Sequence, residues 1–149
     1  MAELAHVWDS RLALTALPNK RTISSEQIVL KALEFARTRS ESTIFIEDVA
    51  RAAKVEYRTL LRAFERYLGF SPKHYLMLRQ LNLIHHAIRR EGAMTAKVAD
   101  ILADHGVTEF GRFAGHYKSL FGELPSETHH RVWKSRPGNS APLLQTIGQ

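Results

Sequence analysis

The chain has 149 residues, no cysteine and a net charge of +6, with a pI near 9.9. That length suits one domain with its own core, and the absence of cysteine excludes a disulfide frame or a thiolate metal site. No apolar run reaches the ~18 residues of a membrane span, and the opening Met1-Ala2-Glu3-Leu4 lacks the basic-then-apolar layout of a secretory leader, so a cytoplasmic protein with an anionic partner is expected.

Residues 1–22 are weakly patterned, with a break at Pro18-Asn19. Ser24-Ser25-Glu26-Gln27 reads as a capping box. It opens a helix that turns Ile28, Ala32, Leu33 and Ala36 inward and fades near Ser40. A short second helix over Ile46–Ala53 has Ile46, Val49, Ala50 and Ala53 on one side. The third runs from Glu56 to Leu68 and stops at Gly69. Ser71-Pro72 then supplies an N-cap and a first-turn proline. The fourth helix is long: Tyr75, Leu76, Leu78, Leu81, Ile84 and Ile88 recur at three and four up to about Arg90, before Glu91-Gly92 breaks it. The fifth spans Val98–Asp104 and closes at Gly106; the sixth spans Glu109–Phe121 and closes at Gly122. A seventh starts at Pro125 and ends near Arg131. Residues 132–149, with Trp133 and then Pro137-Gly138-Asn139-Ser140, read as a mobile tail. No segment alternates with period two. The expected fold is all-α, about seven helices within residues 23–131.

The third and sixth helices repeat one another. Placing Leu60 on Phe113 puts Phe64 on Tyr117, Leu68 on Phe121, Gly69 on Gly122 and Pro72 on Pro125, each pair 53 residues apart. Over 46–68 and again over 98–121, a short helix, a tight turn and a longer helix follow in order. This is helix-turn-helix geometry, whose second helix enters the major groove of DNA. The helix over 72–90 joins the two units. A duplicated reader suits a periodic object such as duplex DNA.

Charge is concentrated in the same region. Arg51 to Arg90 holds nine Lys or Arg against only Glu56 and Glu65, a local net of +7 that exceeds the charge of the whole chain. A block of this kind is an electrostatic footprint for phosphates. On the third helix, Tyr57, Leu60, Phe64, Tyr67 and Leu68 cluster on one side, and Arg58, Arg62 and Arg66 fall opposite. Arginine pairs bidentately with guanine or clamps a phosphate; otherwise the stripe is a solvated face. Leu61, at the edge of the apolar side, either touches a thymine methyl or completes the core. On the sixth helix Phe110, Phe113, Tyr117, Leu120 and Phe121 face inward. Gly111 and Gly115 lie opposite, flanked by Thr108, Arg112 and Lys118. Interior glycines cost up to about 1 kcal/mol each relative to alanine. Close approach of the backbone to DNA is one offset, and tight packing against another helix is the other.

These residues resemble the DNA-binding domain of AraC/XylS-type transcriptional regulators over about residues 25–131. The likeness rests on the two helix-turn-helix units, Ser71-Pro72-x-x-Tyr75-Leu76, Gly106-Val107, and Phe113-x-x-x-Tyr117-Lys118-x-x-Phe121-Gly122-x-x-Pro125-Ser126. The resemblance implies seven helices and two reading helices, 56–68 and 109–121, in successive major grooves. It implies base contacts from Arg58, Leu61 and Arg62, and from Gly111, Arg112 and Gly115 beside Phe110. Phosphate contacts are expected from Lys54, Arg66, Thr108 and Lys118. It also implies a transcriptional activator that contacts RNA polymerase. The chain departs from the pattern at Lys54, where the turn usually holds glycine, and at Glu56, where the cap is usually serine. Phe45 caps the second helix, and Ala99 stands where threonine or serine is common. Residues 1–22 are too few for the upstream effector domain of many members, so the chain is either a stand-alone DNA-binding protein or a piece of a longer regulator.

Nothing in the sequence points to an enzyme or a cofactor. No phosphate loop or nucleophile motif is visible. His85-His86 and His129-His130 are adjacent pairs on helices, point about 100° apart and cannot share a metal. The competing function is a basic helical module for an acidic protein partner. At about 1.5 Å per residue the 72–90 helix spans roughly 29 Å, close to one turn of DNA. One monomer is therefore expected to bind double-stranded DNA unaided.

Overall fold

The structure, a computed structural model, describes residues 23–39, 43–92 and 97–137. These form seven helices and, among the described residues, no strand: α1 Ser25–Thr38, α2 Ile46–Ala52, α3 Tyr57–Leu68, α4 Pro72–Glu91, α5 Val98–Asp104, α6 Phe110–Phe121 and α7 Pro125–Lys134.

Local chemistry accounts for most helix ends. The Gln27 N–H donates to Ser24 Oγ at 3.2 Å and the Ser24 N–H to Gln27 Oε1 at 3.1 Å, a reciprocal capping box. Ser71 Oγ accepts from the His74 N–H at 3.2 Å, with Pro72 in the first turn. Gly69 (φ +81°) and Gly122 (φ +79°) close α3 and α6 in the left-handed region. Neither Phe45 nor Glu56 makes a side-chain cap hydrogen bond. Helix α7 corrects the sequence reading: it continues three residues past Arg131, through half-buried Trp133 to Lys134. A hydrogen bond of 2.6 Å from the Leu124 N–H to Glu127 secures its start. The first helix-incompatible pair, Pro137-Gly138, comes only after it ends. The remainder of the expected tail, 138–149, and the segment 1–22 lie outside the described residues.

The helices enclose two cores that share no buried residue. Ile28, Val29 and Ala32 of α1, Val49 and Ala50 of α2, and Leu60, Ala63 and Phe64 of α3 make the first. Ile101, Leu102, Val107, Phe113 and Tyr117 make the second with Leu81, Ile84, Ala87 and Ile88 of α4. Helix α4 spans both, because its first turns also carry Tyr75 and Leu76 against the first core.

The duplication extends to the turns. The Val55 N–H donates to Ala50 O at 3.1 Å, and the Val107 N–H donates to Leu102 O at 3.0 Å. Lys54 (φ +56°) and Gly106 (φ +74°) hold the same left-handed position. Those pairs are 52 residues apart, whereas the helix pairs after them are 53 apart, so the second turn carries one extra residue. A left-handed lysine costs about 1 kcal/mol or more, which the first unit bears and the second, with glycine, avoids.

Candidate nucleic-acid interface

Leu60, Ala63 and Phe64 bury one side of α3, and Arg58, Arg62 and Arg66 stand exposed on the other. Among the described residues these three guanidiniums make no ion pair, unlike their neighbours. Arg51 is held by Asp48 at 2.8 Å, and Arg79 donates to the carbonyls of Ala36 and Arg39 at 2.8 and 2.9 Å. The α3 stripe is thus uncompensated positive charge on a rigid element. Tyr57 and Tyr67, expected inward, are each 47% exposed. The packed stripe runs through Leu60, Ala63 and Phe64 to Leu68, and both tyrosines lie at its margin. Leu61 is half-buried but belongs to neither core. Lys54 is exposed in the turn before α3.

Helix α6 buries Phe113 and Tyr117. Phe110 and Leu120, also expected inward, are 41% and 44% exposed, again near the helix ends. Gly111 and Gly115 face solvent, and a Cβ added to either would meet nothing within 4 Å. Packing against another helix therefore does not explain them. Arg112 shares this side but is tied to Glu109 at 3.3 Å. Thr108 and Lys118 are exposed.

One feature escaped the sequence reading, in which His85 was weighed only as a metal ligand. Tyr117 is fully buried and donates its hydroxyl proton to Thr128 Oγ1 at 2.9 Å. The Thr128 hydroxyl donates to Glu123 at 2.7 Å, and Arg131 closes on the same carboxylate oxygen. Tyr117 has no second proton to give, so His85 Nδ1, 2.7 Å from its oxygen, is the donor. His85 also stacks on Phe121 with ring centres 4.1 Å apart. This chain ties α4, α6 and α7 together. Nothing in local sequence could have revealed it, since Tyr117 and His85 are 32 positions apart.

Burial, and then the positive charge of Arg89, hold the His85 pKa below its ordinary 6.5. The unfolded chain therefore binds this proton more tightly than the folded one. Stability from His85 is complete above the unfolded value and falls as pH drops through it towards the lower folded value. The melting temperature is expected to decline on acidification below about pH 6.5, and His85→Gln should flatten that decline. Equal acid sensitivity in the variant would assign the effect elsewhere.

Among the described residues no helix is long and apolar enough to cross a membrane, and no three His, Asp or Glu groups converge on a point that could hold a metal ion. Residues 49–131 match the family described as "Helix-turn-helix domain". A crystal structure of a probable AraC family transcriptional regulator from Rhodopseudomonas palustris superposes with a TM-score of 0.65 at 29% identity, covering 74% of this chain and 98% of that one. The chain belongs to the AraC/XylS helix-turn-helix family. A second AraC-type structure, from Chromobacterium violaceum, gives a TM-score of 0.58 at 25% identity, covering 76% of this chain and 97% of the other. Among curated relatives, the XylDLEGF operon transcriptional activator of Pseudomonas putida is 34% identical over 98 residues, which are 66% of this chain and 30% of that protein. A probable thc operon regulatory protein of Rhodococcus erythropolis is 30% identical over 100 residues, 67% of this chain and 30% of the relative. The chain thus spans about 30% of the length of these curated relatives.

Proposed function

We propose that this AraC/XylS-family chain is a cytoplasmic, sequence-specific regulator of transcription that binds double-stranded DNA as a monomer. In this reading α3 and α6 enter two adjacent major grooves. The observation that carries it is the stripe of exposed, unpaired guanidiniums at Arg58, Arg62 and Arg66 on the second helix of a helix-turn-helix. Arg58 and Arg62 read base edges, with Leu61 against a thymine methyl. Gly111, Gly115 and Arg112 form the closer, side-chain-poor approach of α6. Lys54, Arg66, Thr108 and Lys118 hold phosphates, which position the protein without reading sequence. The similarity to an operon transcriptional activator supports activation as the direction of regulation, and RNA polymerase is the partner this reading assigns to it.

Selection of bound duplexes from a random pool tests the proposal. It should return an asymmetric site of about 15–20 base pairs, two half-sites one helical turn apart, and native mass spectrometry should find one chain on it. Unselective capture would favour an acidic protein partner instead. On the selected site, Arg58→Ala and Arg62→Ala should each cost about 1–3 kcal/mol and relax preference at one position, whereas Lys118→Ala should weaken all duplexes alike. Equal loss on specific and random DNA for Arg62→Ala would reassign that side chain to phosphate.

A further inference from the structure

Two neighbouring side chains near the middle of α4 reach in different directions. Arg79 donates to Ala36 O and Arg39 O at the C-terminal end of α1, fastening α4 to the first unit. Gln80 donates from Nε2 to His105 O at 3.0 Å, fastening α4 to the turn of the second. That same turn meets the first unit directly: a Cβ on Gly106 would lie 2.2 Å from Thr43 Oγ1. The seam is otherwise loosely filled. A cavity of about 230 Å³ opens there, lined by Thr43, Ile44, Leu76, Gln80, Leu83 and His105 among others, and the two cores share no residue across it. Away from the shared helix α4, little apolar packing joins the two units, so a few specific ties decide how each sits against the other.

The turn position itself does not demand glycine. Lys54 occupies the equivalent left-handed position in the first unit at φ +56°. What sets Gly106 apart is its neighbour Thr43. From these observations we infer that Gln80, Thr43 and Gly106 are positioning residues that fix the spacing between half-sites, although none lies on a reading helix. The inference rests on the two-groove reading above. One base pair inserted between half-sites turns the second by about 34° and moves it by roughly 3.4 Å. A clamped protein meets that offset with misplaced side chains, and a hinged one follows it.

The test measures binding of the full chain, by fluorescence anisotropy, to the selected duplex and to versions with one base pair added or removed between half-sites. For the unaltered protein each spacing change should weaken binding at least about tenfold, comparable to a mismatched base pair. Gln80→Leu keeps the side-chain bulk and removes the donor; its spacing penalty should fall below about threefold, with thermal melts confirming the fold. Gly106→Ala should broaden the optimum or shift it by one base pair. Thr43→Ala/Gly106→Ala, which removes the clashing Oγ1 and leaves the Thr43 Cβ position at an ordinary 3.5 Å, should restore the original profile. If Gly106→Ala does not fold, Gln80→Leu alone decides. An unchanged spacing profile in the folded variants overturns the clamp. Scrambling each half-site in turn separates the two ideas: if the unaltered protein ignores one half-site, the two-groove reading itself has failed.

Discussion

Raising salt from 50 to 200 mM should weaken the binding of this chain to duplex DNA by roughly 10²- to 10⁵-fold, a slope of log K against log salt on the order of −4 to −8. Each phosphate neutralised adds about −0.9 to that slope by releasing condensed counterions. The count of available cations comes from the structure. Within the +7 block, Arg51 and Arg90 each sit against an acid, and Arg79 is engaged by backbone carbonyls. Lys54, Arg58, Arg62, Arg66, Lys73 and Arg89, joined by Lys118 of α6, are exposed and make no ion pair among the described residues. With Arg58 and Arg62 on base edges and the other five on phosphates, the slope is about −4.5. Titrations of random duplex at several salt concentrations measure it, and a slope near zero would rule out DNA binding as the main activity.

The second large effect pulls stability and binding in opposite directions. Gly111→Ala and Gly115→Ala each replace an exposed mid-helix glycine that has no neighbour within 4 Å of the added Cβ. Alanine restricts the unfolded chain and suits a helix, so each change should stabilise the fold by about 0.5–1 kcal/mol. Together they should raise the melting temperature by a few degrees for a chain of this size. If the α6 backbone lies against DNA, the same methyl groups intrude on that contact, and the double variant should bind the selected site at least about tenfold more weakly, the range of one disturbed base contact. Leucine at both positions should be worse for binding. A stabler protein with unaltered affinity would remove α6 glycines from the interface. A destabilised one would mean that this face packs inside the molecule. The contrast with Gly106 is instructive, since its φ of +74° and the contact with Thr43 oppose alanine there.

The helices themselves were legible because their causes are local. Apolar spacing at three and four, the Ser24/Gln27 box, Ser71-Pro72, and Gly69 and Gly122 all act within a few residues, and α1 to α6 end within two positions of where these signals put them. The repeat of Leu60 and Phe64 in Phe113 and Tyr117 likewise identified the buried anchors of both cores. Periodicity gave only a direction for each side chain, not whether a neighbour arrives there. Tyr57, Tyr67, Phe110 and Leu120 point towards apolar sides yet stay substantially exposed, because they sit at the margins of the packed stripes, which reach the C-terminal ends of α3 and α6 through Leu68 and Phe121 instead. The surroundings of Gly111 and Gly115 were undecidable for the same reason: an absent neighbour leaves no trace in local sequence. The linkage of His85 to Tyr117, the capping of α1 by Arg79 and the contact between Thr43 and Gly106 join positions dozens of residues apart. They exist because α4 is long enough to lay the two units side by side, a consequence of chain geometry that no short stretch of residues encodes.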